Sequence, residues 1–325
     1  MPVRDRLWLI YALGGGWGHL TRAATLARAA QSRHAIRILT NSAYAARISR
    51  AMPELDLIAL ESSLTAEAAR RRVQNEILTA KPECLIVDTF PRGLGGELAP
   101  LLDPLAANKV LVNRDLSPRY VKETGLREFV RSKYHLVLIP GKNEAGAFVD
   151  LPQAVVTPPW LVRDPEPAHT SAKRIFVCAS GNPEELAWYG AVVESLLQRD
   201  SKFDICCVAP TRPRACPQEL WTDHWPAMDL YPEAGVVIGS SGYNTVHECS
   251  ACHVPLIARP WPRLYDRQWL RARRAAKHNR VIIVQNVADA AQAAIRELRR
   301  QRSRDARQFH NGAREAVALI EQMTN

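Results

Sequence analysis

Short runs of apolar and β-branched residues alternate along the chain with longer stretches rich in Ala, Leu, Arg and Glu. The runs of the first half cover 7–13, 35–40, 56–60, 83–88, 109–113 and 135–140, and the helix-like stretches between them include 20–31, 64–80 and 119–133. Further runs follow at 174–179, 204–209, 235–239, 254–259 and 281–284. Apolar strands separated by helices are typical of a parallel sheet covered on both faces. The pattern therefore predicts an α/β protein.

The two groups of strands are separated by residues 157–167, where four prolines interrupt every periodicity. Such a stretch is typical of a linker, and 325 residues, 47% of them hydrophobic, suffice for two cores. We predict two tandem, Rossmann-like, doubly wound parallel-sheet domains with a cleft between them. The predicted segments are a first domain at 1–158, a linker at 159–172, a second domain at 173–304, and a C-terminal segment at 305–325 whose helix, about 305–323, packs back on the first domain.

The apolar runs are short, and none approaches the roughly 18 residues that a membrane-spanning helix requires. The first run, 7–13, is too short for the core of a secretory signal and leads into glycines, so we expect a buried strand there. The seven cysteines are odd in number and mostly lie in strand-like stretches. This usage favours reduced thiols and a cytoplasmic location.

The net charge of +10 is concentrated in residues 267–314, which hold 13 Lys and Arg but only three Asp and Glu. A local basic field favours phosphate-bearing ligands, an anionic lipid surface or nucleic acid, although a solvated helix face has the same appearance. The arginine-rich segment 296–304 has no interleaved aromatic residues and no recognised nucleic-acid motif. We therefore expect no nucleic-acid partner and favour peripheral association with an anionic membrane.

A glycine-rich loop with the sequence GGGWGHLTR follows the first strand at residues 14–22. Glycines at a strand-to-helix turn let the backbone approach a ligand closely, and the helix N-terminus that follows favours negative charge. Gly16 and Gly18 are therefore candidate ligand contacts. The glycine spacing is not that of a dinucleotide fingerprint, and strand 35–40 ends without an acidic residue, which disfavours a dehydrogenase.

His19 is the candidate catalytic base of this loop. An imidazole at the C-terminal end of a strand can accept a proton from a hydroxyl near neutral pH, although a histidine here can also simply hydrogen-bond the loop. A carboxylate is needed to orient the ring, and both Asp88 and Asp115 follow apolar strands. We favour Asp115 and leave Asp88 open.

A second loop, SSGYNTVHE at residues 240–248, follows the strand 235–239. A small-residue turn that opens a helix can hold a diphosphate on its free N–H groups, and a carboxylate one turn further can take both hydroxyls of a ribose. An ordinary capped helix with a surface Glu is the alternative. The candidate nucleotide contacts here are Ser241, Gly242, Tyr243, Asn244, Thr245 and Glu248.

Two shorter segments add polar candidates. Asp266 and Gln268 follow the strand 254–259 and are candidates to contact a sugar, and the loop after strand 174–179 offers Ser180, Gly181 and Asn182 to a phosphate. Cys249 and Cys252, flanked by His247 and His253, have no second ligand pair at zinc-finger spacing. Since no Asp-x-Asp pair ends a strand, we expect neither a divalent cation nor a bound cofactor.

These motifs together resemble the GT-B glycosyltransferases, which have two Rossmann-like domains, and most of all the family 28-type enzymes that include the peptidoglycan-precursor N-acetylglucosaminyltransferase. The resemblance rests on G-x-G-H-x-x-R in 14–22, on S-G-x-x-T-x-x-E in 241–248 and on Asp266 with Gln268. It implies that the Ser-Gly-x-x-Thr turn contacts the donor diphosphate, that Glu248 binds the ribose, and that Asp266 and Gln268 contact the transferred sugar. It also places the first loop, with His19, at the reacting centre.

The chain departs from the family pattern at two places. The loop at 180–183 lacks the usual pair of glycines, and Arg271 stands where many relatives carry Asn.

We predict an inverting, metal-independent hexosyltransferase that moves a sugar from a nucleotide diphosphate sugar, with a UDP-sugar favoured, to a hydroxyl acceptor that is small or lipid-linked. The alternatives are a nucleotide-sugar hydrolase of the pseudaminic-acid-pathway type, which has a similar Gly-His-x-x-Arg loop, and a UDP-sugar epimerase of the same fold.

Overall fold

The computed structural model describes residues 7–114, 116–142, 146–169, 171–278, 280–300 and 309–324. The chain divides into two compact units. One contains residues 1–163 together with 310–325, and the other contains residues 164–309. Each unit has a single parallel sheet with helices packed on it, so the predicted fold class is confirmed.

The sheet of the first unit has seven strands in the order β3-β2-β1-β4-β5-β6-β7, and every neighbouring pair is parallel. The strands are β1 (Leu7–Ala12), β2 (Ala35–Thr40), β3 (Asp56–Ala59), β4 (Cys84–Asp88), β5 (Asn108–Val112), β6 (Leu136–Pro140) and β7 (Ala154–Thr157). The helices that accompany them are α1 (Trp17–Ala30), α2 (Ala45–Ala51), α3 (Ala66–Ala80), α4 (Pro118–Glu123) and α5 (Leu126–Lys133).

The structure differs from the sequence prediction in this unit at three elements. Strand β7 and helix α2 were not predicted, and the predicted helix 119–133 is two helices, α4 and α5. The break falls at Gly125, whose φ of 61° is left-handed and cannot continue a right-handed helix.

The sheet of the second unit has six parallel strands in the order β10-β9-β8-β11-β12-β13. They are β8 (Arg174–Cys178), β9 (Ile205–Val208), β10 (Trp221–Thr222), β11 (Ala234–Ser240), β12 (Leu256–Arg259) and β13 (Val281–Ile283). The helices are α6 (Pro183–Arg199), α7 (Tyr243–Ala251), α8 (Gln268–His278) and α9 (Val287–Leu298), with 3-10 helices at Gln218–Leu220 and Ala227–Glu233.

Helix α10 (Ala313–Thr324) belongs to the first unit, where it packs on α1. The predicted helix at about 305–323 is too long at its start, because residues 309–312 are not helical; residues 305–308 lie outside the described part of the chain. Gly312 lies so close to the Pro158 carbonyl that a Cβ would be 2.2 Å from its oxygen. The chain is therefore held against the end of the first unit before the helix begins.

The direction in which strands are added to the sheet reverses between β1 and β4 in the first sheet, and between β8 and β11 in the second. Ligands of open parallel sheets bind at the carboxyl ends of the strands at such a reversal. The loops that follow these four strands are the places to look for a site. Within the described ranges, no helix combines the length and apolarity needed to cross a membrane.

Candidate functional site

The glycine loop after β1 is held by Asn41 at the end of β2. The amides of Gly14 and Gly15 donate to Asn41 Oδ1 at 2.8 and 3.0 Å. Helix α1 begins at Trp17 with Gly16 as its N-cap, and no side chain caps it. His19 therefore lies in the first turn of the helix, where uncapped backbone N–H groups favour an anion.

His19 contacts a buried carboxylate at the switch point of the first sheet. Its Nδ1 lies 2.5 Å from Asp88 Oδ2, and Asp88 ends β4, the strand next to β1. Arg22, one turn beyond His19, donates to both Asp88 oxygens at 2.8 and 2.7 Å. The sequence analysis favoured Asp115 as the partner of His19; Asp88 occupies this position, and Asp115 lies outside the described residues.

Asp88 and His19 differ in their ionisation at neutral pH. Burial raises the pKa of the Asp88 carboxyl, but Arg22 and His19 more than offset it and bring that pKa to about 2. Burial lowers the pKa of His19 below its ordinary value, although Asp88 opposes the shift. At neutral pH the carboxylate is ionised and the imidazole is neutral, so Nδ1–H donates to Asp88 and Nε2 remains able to accept a proton.

The backbone of the glycine loop lies directly against the imidazole. A Cβ at Gly14 would be 2.4 Å from both Cδ2 and Nε2 of His19, so only glycine fits there. Phe90 stacks on the ring with centroids 5.5 Å apart. A Cβ at Gly18 would lie 3.6 Å from Nη1 of Arg114, so this loop also has a guanidinium beside it. The loop thus fixes the ring, and Arg114 adds positive charge near it.

Helix α7 follows β11 at the switch point of the second sheet. Gly242 is its N-cap, and no side chain caps the helix. Asn244 and Thr245 are half-buried in the first turn, while Tyr243 is buried with its ring 4.5 Å from that of His247. The N-terminus of α7 therefore has no side-chain cap that would compete with an anion.

The turn before α7 is tied to the start of α8. Ser241 is fully buried, and its hydroxyl donates to the Gln268 carbonyl at 3.1 Å. Arg271 donates to the Ser241 carbonyl at 3.1 Å and pairs with Asp266 at 2.7 Å. Gln268 Oε1 accepts from the Trp261 amide at 3.0 Å. The side chains of Ser241 and Asp266 are therefore committed to internal contacts.

Glu248 is a buried carboxyl group in α7. It is 7% exposed, and its side chain makes no hydrogen bond or ion pair with the residues that the structure describes. Burial raises the pKa of Glu248 to about 7, and Asp229 adds to the shift. A buried acceptor without a donor is destabilising until a ligand supplies one.

The loop after β8 differs from the loop after β11. Asn182 caps α6, because its Oδ1 accepts from the Glu185 amide at 2.9 Å. The Glu185 carboxylate fills the space beside Gly181 and pairs with both terminal nitrogens of Arg263 at 2.5 and 2.6 Å. Contact of Ser180, Gly181 and Asn182 with a phosphate stays a prediction. The Asn182 side chain and the Glu185 carboxylate already occupy the space at the start of α6.

Three residues of the site were not assigned a role from sequence. Asn41 fixes the glycine loop, Arg22 neutralises Asp88, and Arg271 links Asp266 to the turn before α7. The i, i+3 spacing of His19 and Arg22 was the available signal, because it places both side chains on one face of α1. Among the described residues, no three His, Cys, Asp or Glu side chains lie close enough to hold a metal ion.

No protein-family model matches the chain, and neither does any curated protein. Solved structures match its fold over nearly the whole length. The spinosyn forosaminyltransferase SpnP is 13% identical with a TM-score of 0.65, over 98% of this chain and 99% of its own. A putative UDP-N-acetylglucosamine 2-epimerase from Listeria monocytogenes is 13% identical with a TM-score of 0.65, over 97% of this chain and 95% of its own.

MurG of Acinetobacter baumannii is 16% identical with a TM-score of 0.63, over 97% of this chain and 99% of its own. At these identities the likeness shows the fold alone. The chain has the two-domain GT-B fold of these proteins, as the sequence motifs predicted.

Proposed function

We propose that this protein is an inverting glycosyltransferase that moves a sugar from a nucleotide diphosphate sugar to a hydroxyl acceptor. The observation that carries the proposal is the His19–Asp88 pair, in which a neutral imidazole is oriented by an ionised, buried carboxylate. A neutral imidazole with a free Nε2 is suited to removing the proton of a hydroxyl. The GT-B fold supports the choice of glycosyl transfer over other proton-transfer reactions.

In the proposed reaction the acceptor oxygen attacks the anomeric carbon from the face opposite the diphosphate. The new carbon–oxygen bond forms as the bond to the diphosphate breaks, and the configuration inverts. The acceptor proton goes to Nε2 of His19, and Asp88 stabilises the imidazolium that results. The nucleoside diphosphate leaves with the electron pair of the broken bond.

The donor is assigned to the second unit. Its diphosphate lies on the uncapped amides of α7, with Gly242, Asn244 and Thr245 as contacts, and Glu248 accepts hydrogen bonds from the ribose hydroxyls. Gln268 contacts the sugar through Nε2, which makes no hydrogen bond with the described residues. Ser241 and Asp266 shape this site through their internal contacts. A UDP-sugar is favoured by the family resemblance.

The proposal assigns the charge of the leaving diphosphate to helix N-termini and arginine side chains rather than to a metal ion. Turnover should therefore be unchanged by a chelator. The acceptor is a small molecule or a lipid-linked hydroxyl, and the basic stretch 267–314 supports peripheral attachment to an anionic membrane.

An epimerase is the second candidate, because the chain is as similar in fold to the putative UDP-N-acetylglucosamine 2-epimerase as to SpnP. A hydrolase, in which water replaces the acceptor, uses the same His19 chemistry. The products separate the three reactions. Without acceptor, a transferase leaves the nucleotide sugar intact, a hydrolase releases free sugar, and an epimerase yields the 2-epimer.

The test begins with a thermal-shift screen of UDP, dTDP, GDP and their sugars, because binding to the native state raises the melting temperature. His19→Ala should then retain the shift of the best donor and lose at least about 100-fold in turnover. His310→Ala, which removes an exposed imidazole of the same unit, should retain both. Undiminished turnover in His19→Ala would remove His19 from the chemistry.

A further inference from the structure

A cavity of about 760 Å³ lies in the second unit, away from the loops assigned to the donor. It is bounded by the residues that precede β8 and β9, by the start of β11 and by the end of α9. All strands of this sheet are parallel, so the cavity lies at their N-terminal edge. Its volume is within the range of small-molecule sites.

Basic side chains form part of the lining of the cavity. Lys173, Lys202 and Arg299 line it, and none of the three makes an ion pair or a side-chain hydrogen bond within the described part of the chain. The one acidic residue of the described lining is Asp204, and both of its carboxylate oxygens accept from Nε of Arg174, at 2.8 and 2.9 Å. Three cations that have no partner among the described residues lie around one concavity, and such a field attracts an anionic group.

The floor of the cavity is apolar and closely packed. Phe203 and Leu298 form it, and a Cβ at Gly235 would lie 2.4 Å from Leu298 Cδ2. The register of β11 against β8 shifts between Ala234 and Val236, which places an irregularity of the strand at Gly235.

We propose that this cavity is a second ligand site, separate from the donor site, which binds a phosphate ester with an apolar body. Lys173, Lys202 and Arg299 bind the phosphate, and Phe203 with Leu298 receives the apolar part. The cavity contacts Gly235 at the start of β11, and the donor turn at Ser241 follows the end of the same strand. At about 3.3 Å per residue, the two positions are about 20 Å apart.

Two sources supply this chemistry: the headgroup region of an anionic lipid and a soluble phosphate ester. The cavity lies where the arginine-rich segment begins, and Arg299 belongs to that segment. Residues 301–304 of the segment lie outside the described part of the chain. The proposal does not depend on the donor site or on the reaction assigned to His19.

The test measures binding of the full chain to two probes. The lipid arm uses flotation with vesicles of three parts phosphatidylcholine to one part phosphatidylglycerol, and with phosphatidylcholine alone. The soluble arm uses calorimetry with inorganic phosphate and with phenyl phosphate, whose ring supplies the apolar body. Lys173→Glu with Lys202→Glu should weaken the binding at least about tenfold, because each basic residue near an anionic surface adds to the attraction.

The matched control is Arg199→Glu with Arg214→Glu, which reverses two exposed charges of the same unit that lie outside the lining of the cavity and outside the stretch 267–314. It should bind the probe nearly as well as the unsubstituted chain. Binding of anionic vesicles without binding of phenyl phosphate identifies a lipid, and binding of phenyl phosphate identifies a soluble ester. Equal binding of inorganic phosphate and phenyl phosphate would contradict the apolar contact. An equal loss in both variants would indicate a diffuse field, and absence of binding to every probe would overturn the proposal. Thermal unfolding of both variants checks that they are folded.

Discussion

At the scale of single residues, two buried carboxyl groups have opposite surroundings. Asp88 is 2% exposed and is hydrogen-bonded by Arg22 and His19, so that it stays ionised. Glu248 is 7% exposed and has no donor among the described residues. Burying a charge without a partner is destabilising. We infer that ionised Asp88 is stabilised by partners within the folded protein, whereas Glu248 is present because it binds a ligand.

This difference predicts that Glu248→Gln stabilises the protein in a pH-dependent way. The pKa of Glu248 is raised from 4.5 to about 7 in the folded state. Below pH 4.5 both states are protonated, and between pH 4.5 and 7 the unfolded state ionises first, so stability falls as the pH rises. Above pH 7 the penalty reaches about 3 kcal/mol, which Gln removes. Denaturant unfolding at pH 5 and pH 8 measures the difference in the free energy of unfolding between Glu248→Gln and the unsubstituted chain.

The control for this experiment is Glu194→Gln, an exposed carboxylate of α6 in the same unit. Its effect on unfolding should be small and should not change with pH. Glu248→Gln should also weaken nucleotide binding, and binding by the unsubstituted chain should fall as the pH drops below about 7, where Glu248 becomes protonated. A Glu248→Gln variant that is no more stable at pH 8 than at pH 5 would contradict the interpretation.

Gly14 provides a second prediction for single residues. A Cβ at this position meets the His19 ring at 2.4 Å, so Gly14→Ala must displace the imidazole and should reduce both stability and turnover. In a His19→Ala background the ring is absent, and the same substitution should destabilise less. The coupling between the two changes should be about 0.5–3 kcal/mol. Unfolding of both single variants and the double variant measures it, and additive effects would show that the contact is unimportant.

At the scale of elements, the helices that follow the switch-point strands differ in their N-termini. Helices α1 and α7 have no side-chain cap, whereas α6 is capped by Asn182. A side-chain cap satisfies an amide that an anion would otherwise bind. The structure therefore favours α7 over α6 as the diphosphate site, which narrows the set of contacts that the sequence suggested.

Asn182→Ala tests this distinction. If Asn182 serves only as a cap, the substitution should lower the free energy of unfolding by about 1 kcal/mol and leave the nucleotide-induced thermal shift unchanged. Asn286→Ala is the matched control, because Asn286 caps α9 in the same way, with Oδ1 accepting from the Asp289 amide at 2.8 Å. A loss of nucleotide binding in Asn182→Ala alone would return this loop to the donor site.

At the scale of the whole molecule, the chain leaves the first unit and returns to it. Helix α10 packs on α1, and Glu321 pairs with Arg33 and His34 at 2.8 and 2.7 Å. Its buried face consists of Ala313, Ala316, Val317 and Ile320. The last helix is thus part of the unit that carries His19.

The packing of α10 predicts the effect of Ile320→Ala. Ile320 is fully buried, and removing its side chain should destabilise the first unit by about 2–5 kcal/mol through lost burial and the cavity that remains. Leu78→Ala in α3 removes a leucine that is 49% exposed and should change stability by less than about 1 kcal/mol. Denaturant unfolding of both variants measures the difference. Similar losses in the two would show that α10 contributes little.

The amino-acid pattern alone was enough to predict the class of the fold and to single out most of the candidate residues. The alternation of apolar runs with helical stretches reflects local periodicity, which is visible without any tertiary information. The two loops at 14–22 and 240–248 were recognised in the same way, since glycines after a strand mark a close turn. The helix break at Gly125 was missed although an isolated glycine in a helical pattern is a local signal for it. Strand β7 has only four residues, and its pairing with β6 depends on tertiary packing.

The carboxylate that orients His19 could not be identified before the order of the strands in the sheet was known. Asp88 and Asp115 both follow apolar strands, and nothing in the chain tells which strand is the neighbour of β1. The strand order places β4 directly next to β1. Strand β5, which precedes Asp115, lies one strand spacing of about 4.8 Å further from β1. The same holds for Glu248 and Asn182, because whether a polar group is buried without a partner or taken up as a cap depends on neighbours that are distant in sequence.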